Sequence, residues 1–123
     1  MLTLTDGSGL NVTIDGRPEV GGQLLGMAVA ACFANTIISE ATARGVWLRG
    51  LDVGAEIEWV DDPPRTRHVT VHVRVEADAS EPSVMELVEH ADRVSRVSNA
   101  IRLGVPVRVA DLHVTAVSSD DRR

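Results

Sequence analysis

Cys32, the only cysteine in the 123-residue chain, is the side chain with the most chemistry to offer. A thiolate attacks electrophiles and binds metals, yet a free cysteine usually packs as a small hydrophobe. Reactivity needs a nearby positive charge or helix N-terminus, and access for a substrate. Cys32 lies about three turns into an apolar stretch, too deep for the dipole at its start to help much. A guanidinium must supply the charge, because every basic side chain in the chain is Arg. His68 and His72 share one strand face at i and i+4, too far apart to hold a metal without a third ligand. No Cys, Asp or Glu pattern supplies that ligand, so no metal is expected. His90 and His113 read as solvated or half-exposed residues without a functional role. Gly21-Gly22 before a helix offers backbone N–H groups to an anion but lacks the lysine and the spacing of a phosphate loop. No serine sits in a nucleophile-elbow context, and no carboxylate pair stands out from the acidic background.

Cys32 is positioned by the stretch from Gly21 to Gly45, GGQLLGMAVAACFANTIISEATARG. From Leu24 to Ile38 only Asn35 and Thr36 are polar apart from the thiol, so the segment has no wet face. A membrane span needs ~20 apolar residues, and this run stops short of that before the hydrophilic turn Ser39, Glu40, Thr42, Arg44. It reads as a buried core helix ended by Gly45 at its C-cap. A helix apolar nearly all round has to be wrapped on most sides. A small domain has few elements for that, which predicts a second subunit.

Composition narrows the function classes. The length suits one domain, residues 1–123, near the size at which a partner helps to bury a core. A net charge of -6 opposes binding to nucleic acid or to anionic membranes. With Phe33, Trp47 and Trp59 as its only aromatics, the chain offers little to stack on bases. One cysteine forms no internal disulfide, and no basic leader precedes an apolar N-terminal segment; both point to the cytoplasm.

The remaining elements follow from periodicity. Leu2 to Ile14 reads as a hairpin around Asp6-Gly7-Ser8-Gly9, with a second turn at Asp15 to Pro18. Val53, Ala55, Ile57 and Trp59 alternate with polar or small residues, as do Val69, Val71, Val73 and Val75. These are two half-buried antiparallel strands broken apart by Asp61-Asp62-Pro63-Pro64. Ser80 caps a second, amphipathic helix with Pro82 in its first turn, running to Leu103 with a kink or break near Ser95 and a stop at Gly104. Val105, Val107 and Val109, then Leu112, Val114 and Ala116, predict a last strand with a bulge where the apolar parity switches. Residues 118–123 read as a frayed polar tail. Helices between runs of antiparallel strands make the fold class α+β.

Two of these segments resemble a known family. QLLGMAVAACFANTI, Gln23 to Ile37, closely resembles the cysteine helix of the OsmC/Ohr family, small proteins that reduce organic hydroperoxides with a reactive cysteine. ADRVSRVSNAI, Ala91 to Ile101, resembles that family's second helix, where a second cysteine is followed two or three positions later by Ser-Asn. The resemblance implies an OsmC-like intertwined homodimer with the two long cysteine helices packed centrally and antiparallel sheets from both chains around them. It also implies a mechanism in which Cys32 attacks the peroxide as thiolate and becomes a sulfenic acid. The resolving position falls on Ser95, which forms no disulfide. The family's activating Glu position holds Gly22, with Gln23 beside it, so Arg17 and Glu19 are the expected stand-in activators. Gln23, Phe33, Ser95 and Asn99 are the expected binding residues.

The implied function is a thiol-dependent hydroperoxide reductase, peroxidase-like, acting through the single Cys32 without a cofactor and reset by an external thiol. The alternative is a catalytically degenerate OsmC-fold protein that binds a small apolar ligand at the dimer interface. Acyl transfer to Cys32 in a biosynthetic pathway ranks below both.

Overall fold

The structure is a computed structural model that describes residues 2–5, 11–14, 20–111 and 113–115. Two short strands, β1 (Leu2–Thr5) and β2 (Asn11–Ile14), pair antiparallel with Leu2 opposite Ile14, the hairpin expected from their alternation. The turn between them, Arg17, Glu19 and the polar tail lie outside the described residues.

Helix α1 (Val20–Ala43) is the centre of the chain. Gly45 ends it at φ 69°, a left-handed conformation that an L side chain rarely adopts. There its N–H bonds Thr42 O at 3.2 Å, and the next N–H, of Val46, bonds Ala41 O at 2.8 Å. By length and composition α1 is long and apolar enough to cross a membrane, although its apolar run reads as too short in sequence. Its packing, however, is that of a core helix: Val29, Ala30, Phe33, Ile37 and Ala41 form one buried face.

That face lies on a long hairpin, β3 (Trp47–Val60) and β4 (Arg65–Asp78), paired antiparallel with Val53 opposite Val73. Val53, Ala55 and Ile57, with Val69, Val71, Val73 and Val75, face inward and are half-buried; the alternate residues are exposed, as period-two patterning requires. Trp59 departs from this. The register shifts between Glu58 and Trp59, and Trp59 is 46% exposed, with its ring over Gly22 where a side chain would collide with it. At Gly26 an added methyl would stand 3.1 Å from Ile57 Cδ1, so the two glycines let β3 approach α1 closely.

Helix α2 (Glu81–Val94) begins as expected, with Ser80 Oγ accepting from Ser83 N and Pro82 in the first turn. The second helix is in fact two. Ser95 is extended, at φ -64° and ψ 113°, and α3 (Arg96–Leu103) starts after it. Phe33, Ile37 and Ala91 form the core, with Leu48, Leu51, Val53, Val71, Val73 and Val88 packed against them. Ile37 and Leu87 are fully buried, each contributing roughly 1.5–3 kcal/mol.

The last predicted strand is not formed among the described residues; Leu112 and Ala116 of that prediction lie outside them. Residues 104–111 and 113–115 have no regular structure, and Val105, Val107, Val109 and Val114 are 62–94% exposed. Alternating valines specify a face, but a strand exists only when a neighbouring edge accepts its hydrogen bonds, and none does so among the described residues.

Candidate functional site

The site is built where α1 meets α2 and α3. On α1, Cys32, Thr36 and Glu40 recur every four residues and therefore stand on one flank. Thr36 Oγ1 donates to Cys32 O at 2.9 Å, so its hydroxyl serves the backbone. Across from this flank stand His90 and Val94 of α2 and Arg96 and Val97 of α3. Together these residues line an open cavity of about 410 Å³ that contains the half-buried Cys32.

One end of the cavity is charged. Glu40 Oε1 accepts from Arg44 Nε at 2.8 Å, and Glu40 Oε2 lies 3.3 Å from His90 Nε2. Arg44 NH1 reaches Glu86 Oε2 at 3.2 Å. The Arg44 hydrogen bond, against some desolvation and with help from the charge on His90, holds the Glu40 carboxyl below its ordinary value. The same bond raises Arg44. Arg96 opens α3, lines the cavity and takes part in no ion pair among the described residues.

The residues singled out from sequence scatter. Cys32 is on the cavity. Phe33, expected to bind ligand, is a core residue at 5% exposure; one position on from Cys32, the helix turns it by about 100° onto the sheet. Gln23 is exposed and lines a different cavity, between α1 and β3 with Met27 and Ile57. Ser95 is completely buried between α2 and α3, and its Oγ has no partner among the described residues. Asn99 is occupied by the elbow itself: Nδ2 donates to Arg93 O at 2.8 Å and Oδ1 accepts from Arg102 at 3.0 Å. Arg17 and Glu19 lie outside the described residues. His68 and His72 are exposed beside Glu58 and Glu56, and no metal-holding cluster occurs among the described residues.

His90, Glu40 and Arg96, which line this cavity, are not singled out by the sequence reading. A signal for the first two was present: Glu40 and Arg44 on one helix, Glu86 and His90 on the other, each pair four apart and of complementary sign. Antiparallel helices bring two such pairs face to face.

Residues 21–110 match the family described as OsmC-like protein. The chain belongs to that family. An OsmC-like protein from Mycoplasma pneumoniae shares the fold: it is 19% identical, with a TM-score of 0.68 over 81% of this chain and 77% of that one. The organic hydroperoxide resistance protein OsmC from Legionella pneumophila, also described as a predicted redox protein, is 25% identical. Its TM-score is 0.51 over 82% of this chain and 72% of that one. No curated protein matches the chain in sequence. Family and neighbour together support a peroxiredoxin-like redox role at that coarse level.

Proposed function

We propose that this OsmC-like protein is a cytoplasmic homodimer that reduces organic hydroperoxides through Cys32 alone. The observation that carries the reading is the shared cavity: the single thiol stands with a guanidinium, Arg96, and an imidazole, His90, at its walls. The thiolate is the form that attacks peroxide. The thiolate sulfur attacks one peroxide oxygen, the O–O bond breaks, and Cys32 becomes a sulfenic acid while an alcohol leaves. Ser95 does not resolve it, being a buried hydroxyl. One external thiol displaces water to give a mixed disulfide, and a second thiol releases Cys32 as the free thiol with a disulfide product.

The homodimer reading rests on what the single chain leaves uncovered. Leu24, Met27 and Ile38 on the outer face of α1 are 37%, 67% and 49% exposed, and Val105, Val107, Val109 and Val114 are 62–94% exposed. A second copy that covers them buries apolar surface at about 25 cal/mol per Å². The alternative, ligand binding without turnover, draws on a separate cavity of about 400 Å³ with Leu25, Val29, Val69 and Ile101 in its walls.

The test is chemical. Stoichiometric cumene hydroperoxide followed by dimedone gives one adduct per chain on Cys32 and none in Cys32→Ser, read by intact mass. Absence of an adduct in the wild-type protein overturns the reductase and leaves the ligand-binding reading.

A further inference from the structure

Breaking an O–O bond leaves an alkoxide, a strong base that departs slowly unless a proton meets it. The cavity around Cys32 holds few groups able to deliver one. Asn35, Thr36 and Ser39 are not acids at neutral pH, and a guanidinium does not release its proton in proteins. Glu40 is held ionised by Arg44. His90 is the one remaining described side chain on that wall whose ring nitrogens can both carry and release a proton.

The placement of His90 fits that task. Both oxygens of Glu40 are committed, Oε1 to Arg44 and Oε2 to the His90 ring 3.3 Å away, while Glu86 steadies Arg44 from the side of α2. The carboxylate therefore fixes one edge of the imidazole. Glu40 and Arg96 are the charged groups that line the cavity with the ring and the thiol, and Arg44 and Glu86 stand behind Glu40.

We propose that His90 is the general acid of the reaction, protonating the leaving alkoxide, and that Glu40 is its positioning residue. The proposal rests on the hydroperoxide-reductase reading. As the Cys32 sulfur bonds the terminal oxygen of ROOH, the O–O electron pair passes to RO, and the His90 imidazolium gives that oxygen its proton. Sulfur is oxidised by two electrons and the peroxide reduced by two. The products are Cys32 sulfenic acid, ROH and neutral His90, which regains its proton from water.

Leaving-group basicity separates this role from a structural one. tert-Butyl hydroperoxide expels a basic alkoxide and needs the acid, whereas peracetic acid expels a weakly basic carboxylate and does not. Pre-steady-state rates of sulfenic acid formation are measured with both oxidants for wild type, His90→Gln, His90→Asn and Glu40→Gln. For the His90 variants the proposal expects a loss on the order of 10²-fold with tert-butyl hydroperoxide and little change with peracetic acid. Glu40→Gln shows a smaller loss of the same selectivity. Two His90 variants guard against one that misfolds, and circular dichroism reports it. An equal loss with both oxidants, or none with either, overturns His90 as the acid and leaves the reductase standing. A wild-type protein that forms no sulfenic acid with either oxidant overturns both.

Discussion

Replacing Ser95 by Ala sets two physical effects against each other, and the structure decides the sign. Ser95 is the N-cap of α3, and loss of a capping hydroxyl ordinarily costs about 0.5–2 kcal/mol. Here the hydroxyl makes no capping bond. It is instead completely buried with no partner among the described residues, a state that costs about 1–3 kcal/mol by mutational measures. Removing it leaves a void of roughly 10 Å³, which at ~24 cal/mol per Å³ subtracts only about 0.2 kcal/mol. The variant is therefore stabilised by about 1 kcal/mol. With an unfolding entropy of about 2.1 cal/mol/K per residue, the 123-residue chain gains about 4 °C in Tm. Calorimetry and urea unfolding at one fixed protein concentration are the assays, because association makes Tm concentration-dependent. The urea slope stays unchanged while the midpoint rises. A fall in Tm of about 2 °C or more shows that the hydroxyl has a partner or caps α3, and refutes the reasoning.

Three further outcomes follow from the packing and the charges. Phe33→Ala loses about 3–5 kcal/mol in urea unfolding, as a core residue does, whereas a residue that only touched ligand would leave the midpoint in place. Gly45→Ala loses about 1 kcal/mol from the positive φ alone, since no atom lies within 4 Å of the added methyl; an unchanged midpoint would mean that the C-cap relaxes. Glu40 has a depressed folded-state pKa, so its contribution is present above the unfolded value of 4.5 and is lost as pH falls through the folded value. The stability gap between wild type and Glu40→Gln, read as urea midpoints from about pH 7 to about pH 3, therefore closes in acid, and a gap that widens there contradicts the assigned sign.

Much of the fold was legible because it is local. The run from Leu24 to Ile38 without a wet face demanded a central helix, Gly45 its end, and Ser80 with Pro82 the start of α2; these depend on residues a few positions apart. Alternation marked β3 and β4, and their interruption at residues 61–64 marked the hairpin. The break at Ser95 was legible only as a kink or break. At the site, Cys32 was identified by residue type. That Phe33 next to it packs in the core was not legible, because adjacent positions on a helix point about 100° apart and a helix apolar all round gives no clue to which side meets the sheet.

The sequence by itself determined α1, the β3–β4 hairpin and the start of α2, that α1 needs cover, and that Cys32 lies on it, but not the fate of the segment after Gly104. It did so because backbone periodicity, caps and turns are properties of neighbours along the chain. Only the tertiary structure decided what faces Cys32: that His90 meets Glu40, that Arg96 opens α3 onto the same cavity, and that Ser95 is sealed behind it. Those pairings join residues tens of positions apart. They are set by the antiparallel register of α1 against α2 and by the elbow before α3, and a pattern of apolar and charged residues gives the face of a helix but not what stands opposite it.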